Sequence, residues 1–312
     1  MAKPFKPEAA FRRLNGFDFA RARVSLWVFK KRSSTGSALM FSAVWVDISR
    51  NLADELKAIA LATRDSFTEV GSYGLLEQPN ESELLALRGE DTGLDGLESA
   101  TAGREEANQA KNLKALNNAA GYVVKIKAGP TTLSCFRRAT SDWKAKKSNS
   151  LLNVLFVEQQ LDIAEDPVFR IARTFDFFAI DEYVLVANKR AFESMLNYKA
   201  TYENSFAELR VEKAFVDLFS ELTPLQEYVG TNAMQLRRIA VVRHKGYYKD
   251  QQYIARLKTV NGQRGWGIQF DANGRIMPTS ETARVIMQVL LNHRLYSELS
   301  LTTYDVPSTT PV

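Results

Sequence analysis

Cysteine is almost missing from this chain: Cys135 is the only one. A single thiol excludes an intrachain disulfide, and it excludes zinc sites built on two or four thiolates. Set between the apolar Leu133 and Phe136, it reads as an inert thiol in a cytosolic protein. Histidine is nearly as scarce. Only His244 and His293 occur, with no His-x-x-x-His spacing, so both read as surface or hydrogen-bonded side chains rather than metal ligands. No stretch approaches the about 18 consecutive apolar residues of a membrane span. The opening "MAKPFKPEAAFRRLNGF" lacks an apolar h-region, so no signal peptide is expected. A Gly-x-x-x-x-Gly-Lys-Ser/Thr phosphate loop is absent, which argues against ATP hydrolysis, and so is a Gly-x-Ser-x-Gly elbow. No helix-turn-helix, zinc-finger or RNA-recognition signature is present either.

What remains is an ordinary globular composition with an uneven charge. The 312 residues suit one large domain or two of average size, with 45% apolar and 25% charged residues. The net charge is +5, yet residues 77–106 hold nine acids against Arg88 and Arg104 and carry −7. The rest of the chain therefore carries +12. A body that basic attracts polyanions such as nucleic acid or an anionic lipid surface.

Hydrophobic periodicity gives the elements. Residues 20–31, apolar on much of both faces, and 37–48 read as strands around "KRSSTG" and predict a β-hairpin. Leu52, Leu56, Ile59 and Ala60 share one helical face over 49–67, with Ser49 or Asn51 as cap. The acidic stretch 77–106 reads as a flexible insertion with one short helix at 81–88, and 107–118 reads as helix. Runs at 122–128, 131–139, 150–163 and 174–188 predict an antiparallel sheet, the last splitting into a hairpin at Asp181-Glu182. From Lys189 onward helices dominate: 189–202, 206–222 with a break at Pro224, 247–260, and a final one after Ser280. Between the last two, Asn273-Gly274 marks a tight turn, and the tail from Tyr296 reads as extended or irregular. The expected class is α+β. An antiparallel sheet-rich lobe precedes a mainly helical C-terminal lobe, with an N-terminal α/β part at 1–120 and a second domain at 121–312.

Two cationic clusters with aromatics stand out. "SCFRRATSDWKAKKSNS" carries Arg137, Arg138, Lys144, Lys146 and Lys147 beside Trp143. "RRIAVVRHKGYYKD" carries Arg237, Arg238, Arg243, Lys245 and Lys249 beside Tyr247 and Tyr248. Arg264 follows in a glycine-rich turn beside Trp266. Lys30, Lys31 and Arg32 add a basic hairpin tip. Recurrent cations with stacking surfaces point to phosphate-backbone contacts with nucleic acid rather than base readout. The enzymatic alternative is a Mg²⁺-dependent nuclease using Asp176, Asp181, Glu182 and Lys189. Its usual acid-x-Lys strand end reads "ANK" here, without the central acid. Outside that alternative no cofactor is expected.

The stretch "FDFFAIDEYVLVANKRAFESMLNYKATY" and the ending "GIQFDANGRIMPTSETARVIMQVLLNHRLYSELSLTTYDVPS" resemble the KwaB-like proteins of the Kiwa anti-phage defence system, over roughly 120–312. The resemblance implies a bacterial defence component that binds DNA and works with a small KwaA-like integral-membrane protein. It implies a cytoplasmic protein recruited to the inner membrane, and a homodimer fits such a role. It supplies no catalytic residue. A non-catalytic adaptor, meeting the membrane or its partner through the basic face, is the third reading.

Overall fold

β1 (Arg23–Arg32) follows α1 (Pro7–Asn15) and buries five residues in a row, Ser25 to Phe29. A strand buried on both faces belongs at the inside of a covered sheet, and β1 lies there. The structure, a computed structural model, describes residues 5–32, 40–139, 154–157, 160–163 and 170–306. They divide into two compact units: 1–73 with 79–196, and 74–78 with 197–312.

The first unit is built on one sheet. Besides β1 it uses β2 (Met40–Val46), β3 (Glu69–Ser72) after α2 (Arg50–Asp65), and β4 (Glu83–Arg88). After α3 (Asp95–Ala100) come β5 (Gly121–Ala128) and β6 (Thr131–Arg138). A separate hairpin, β7 (Val154–Val157) with β8 (Gln160–Ile163), precedes β9 (Phe177–Ile180), β10 (Tyr183–Val186) and α4 (Lys189–Met195). The eight-stranded order is β2-β1-β5-β6-β9-β10-β4-β3, antiparallel except for the parallel pair β3–β4. One face packs Leu26, Val28, Val124, Cys135 and Phe178 with α1 and α2, through Leu14, Leu56 and Ala60. On the other, Phe136 stacks on Phe177 at 4.4 Å, and Phe177 meets Phe192 of α4 edge-on at 5.0 Å.

The second unit holds α5 (Tyr198–Leu209), α6 (Lys213–Val216), α7 (Thr223–Val229), α8 (Ala233–Lys245) and α9 (Gln251–Arg264). Next are the short pair β11 (Gln269–Phe270) and β12 (Ile276–Met277), then α10 (Ala283–Leu290). It closes on a hairpin of β13 (Arg294–Ser297) and β14 (Thr302–Asp305). Leu236, Ile239, Phe215, Ile286 and Leu290 centre its core.

The α+β class, the β1–β2 hairpin, the Ser49-capped helix and the Asp181-Glu182 turn are as expected, with Ser49 accepting from the Leu52 amide at 3.3 Å. Several expectations are corrected. Residues 83–88 are a strand inside the main sheet, not a helix in a flexible insertion, and Leu84, Leu85, Leu94 and Leu97 are buried. The 107–118 stretch forms only two 3₁₀ turns. The 150–163 strands pair with each other rather than joining the main sheet. The helix expected over 189–202 divides at Asn197, whose φ of 59° lies in the left-handed region. Pro224 opens α7 instead of ending a helix, since a missing N–H costs nothing in a first turn. The tail forms β13–β14. Position 120 is no boundary, because β5, beginning at 121, pairs with β1.

Gly121 lies between Phe29 on β1 and Arg138 on β6. A Cβ there would fall 2.5 Å from the Phe29 ring and 2.6 Å from the Arg137 carbonyl oxygen. The carbonyl belongs to a paired strand and cannot step aside. Gly121→Ala is therefore expected to lower stability by about 1–3 kcal/mol. Urea unfolding checks this; an unchanged midpoint would mean that this end of the sheet is looser than described.

Candidate nucleic-acid interface

The four residues of the nuclease alternative fall at opposite ends of one hairpin. Asp176 precedes β9 and Asp181 follows it, so the extended chain holds them about 16 Å apart. Asp176 is 1% exposed and already committed. It accepts from Arg137 Nη1 at 2.9 Å and from the Arg138 backbone amide at 2.7 Å. Burial pushes its carboxyl above the ordinary value, and these donors pull it back. Lys189 is buried, 3.9 Å from Glu193, with its ammonium over the Tyr73 ring. At the far end Asp181 binds Arg13, and the Glu182 carbonyl accepts from Gly89. Among the described residues no cluster of three His, Cys, Asp or Glu side chains suits a metal.

The cations of 237–264 lie in the second unit, mostly in contact with its own side chains. Arg243 pairs with Glu208. Lys249 reaches Glu212 at 2.6 Å and holds that carboxyl below the usual range. Arg264 meets Glu298 at 3.1 Å and lies on the Tyr296 ring. Lys245 donates to the Leu291 carbonyl at 3.0 Å and lies 3.3 Å from His293 Nε2. Burial, then the charges of Lys245 and Arg238, bring His293 down to about 4. Arg237 lies over the Tyr202 ring, and Arg238 is 3.5 Å from Gln235 Oε1. Tyr248 is buried edge-on against Phe215 and is no open platform for a base, while Tyr247 has one face stacked on Tyr253. Lys144, Lys146, Lys147 and Trp143 lie outside the described residues.

One end of the sheet in the first unit gathers cations that are far apart in the chain. The register sets Phe29, Gly121 and Arg138 in a row across β1, β5 and β6. Lys31 stands two residues beyond Phe29 and shares its face with Arg138. The Lys31 ammonium donates to the Ser194 carbonyl of α4 at 3.0 Å. Burial first, and then the charge of Arg138, hold Lys31 below its ordinary value. Arg190 is exposed one helical turn before Ser194. Beside Lys31, Lys30 reaches the Lys114 carbonyl at 3.4 Å, and Arg32 and Lys114 are exposed. Arg137 is held on the opposite face by Asp176 and by Thr174 at 3.1 Å. The sequence marked 30–32 as a basic hairpin tip, but nothing local placed it beside Arg138. Pairing between β1, β5 and β6 does that.

In class this is an α+β protein with a cationic sheet end, and no described helix is long and apolar enough to cross a membrane. A family model described as "Kiwa protein KwaB-like" matches residues 116–300, more than half of the chain. The chain belongs to that family, which gives it a role in Kiwa anti-phage defence. No curated protein and no solved structure matches it.

Proposed function

We propose that this chain is the DNA-binding effector of a Kiwa system, gripping duplex phosphates with the cationic end of its first-unit sheet. The observation that carries the reading is that Lys31 and Arg138 share one face of this sheet end. Two like charges held together on one face are stabilised by an incoming anion. Arg32, Arg190, Lys30 and Lys114 extend the surface, and Lys144, Lys146 and Lys147 follow Arg138 shortly in the chain. Arg137 serves chiefly to fix this end through Asp176. The cations of 237–264 act mainly within the second unit. In this reading the protein is cytoplasmic, acts as a homodimer, and is recruited to the inner membrane by a KwaA-like integral-membrane protein. Once there, it blocks the use of phage DNA.

A gel-shift titration across salt tests the reading. The quadruple variant Lys31→Glu, Arg32→Glu, Arg138→Glu, Arg190→Glu is expected to weaken duplex binding by roughly tenfold to a hundredfold. It is also expected to flatten the salt dependence, by close to one counterion for each phosphate no longer neutralised. Equal affinity and equal slope for a folded variant would remove this interface. Plasmid cut in Mg²⁺ would replace the reading with a nuclease.

A further inference from the structure

The same sheet face that is packed with aromatics at one end opens at the other into a cleft of about 410 Å³. The register explains the change. One row across β5, β6 and β9 is Val123, Phe136 and Phe177, which fill their space. The next row on that face is Lys125, Ser134 and Ala179, two of them small. Glu98, Ser99 and Ala102, from α3 and the turn after it, form the opposite wall, and Thr132 and Asp181 complete the lining.

The floor is a set of donors. Ser134 is 7% exposed, with no hydrogen bond to its hydroxyl among the described residues. Lys125 donates to the Thr101 carbonyl at 2.6 Å, which leaves two of its three N–H groups for the cleft. Burial holds its ammonium below the ordinary value, and the charge of Glu98 pulls it back up. The rim is a set of acceptors. Glu98 is exposed and makes no ion pair with Lys125 among the described residues. Asp181 is tied to Arg13, whose other nitrogen donates to Thr131 at 2.9 Å.

We propose that this cleft binds a small zwitterion of the α-amino-acid class, its carboxylate on Lys125 and Ser134 and its ammonium toward Glu98. The size is at the low end for small-molecule sites. A phosphorylated ligand meets the same floor, but its second negative charge faces the Glu98 carboxylate on the rim, a like-charge juxtaposition that disfavours it. The proposal is independent of the nucleic-acid reading, since no cation of the sheet end lines the cleft.

Thermal-shift and calorimetric titrations of the full chain test it. The probes are the common α-amino acids one at a time, their N-acetyl and amide derivatives, acetate, and inorganic phosphate. At least one free amino acid is expected to raise Tm saturably, with its amide derivative at least tenfold weaker. Lys125→Met is expected to weaken the same ligand about tenfold or more. The comparison of free and blocked ligands needs no variant, so the test stands even where Lys125→Met does not fold. No shift with any amino acid, a larger shift with phosphate, or undiminished binding to folded Lys125→Met would each overturn the assignment.

Discussion

Deleting residues 77–106 is expected to leave the chain unable to fold its first unit. The segment's composition invites the deletion, since it carries −7 and is rich in Gly, Ser, Asp and Glu. Its strand β4 nevertheless lies between β10 and β3, pairing Leu85 with Val186 and Leu87 with Val184. Leu84, Leu85, Ala86, Leu87, Leu94 and Leu97 are each no more than 8% exposed. Burying one leucine side chain is worth about 1.5–3 kcal/mol. Five of them together match the about 5–15 kcal/mol that stabilises a whole domain. Removal also bares the edge of β10, an invitation to strand pairing between chains. The deleted chain is expected in the insoluble fraction, without a cooperative thermal transition. Leu84→Ala is the graded form, expected to cost about 2–5 kcal/mol. A soluble deletion variant with native-like circular dichroism and a sharp transition would show that β4 is dispensable.

That segment also shows what limits a sequence reading here. β1 and β2 were legible from runs of β-branched, aromatic and other apolar residues, and α2 from its period and its cap. β4 is six residues long, and Glu81, Glu83, Glu90 and Asp91 crowd its ends. Averaged over a window, acids on the rim hide leucines in the core. The two 3₁₀ turns at 106–115 look helical because their residues are helix formers, yet none of the described side chains there is buried to hold them in longer helices. The site was legible by half. Runs of cations can be read directly, but their partners cannot. Glu208 and Glu212 lie well before the arginine and lysine they bind, and only folding brings them together. For the same reason Lys31 and Arg138 stayed apart in the sequence while the sheet sets them on one face of the same end.

Asp176→Ala is expected to destabilise the first unit by on the order of 3 kcal/mol, because the remaining partners lose a buried acceptor. Its carboxyl takes the Arg137 guanidinium and the Arg138 amide, while its backbone carbonyl accepts from Ala187 and Asn188 at 2.9 and 2.8 Å. The carboxylate thus fixes the end of β6, which carries Arg138, while the backbone bonds to 187 and 188 survive the substitution. Stability and DNA affinity should fall together in this variant, although Asp176 itself is negative and repels a phosphate. A nuclease ligand would behave differently, with cleavage lost and folding little changed. The pH dependence has a definite sign. Burial raises the folded-state value of Asp176 above that of the unfolded chain, so the folded state binds this proton more tightly. The contribution of Asp176 is fully present below the ordinary carboxylate value and declines as pH rises through the raised one. The gap between wild type and Asp176→Ala in urea unfolding should therefore be widest in mild acid and narrow toward neutrality. A gap that widens toward neutrality would mean that the arginines outweigh burial. Asp176 would then be an ordinary ion-pair partner, held charged by Arg137, and the sheet end would lose one negative charge and gain affinity when it is removed.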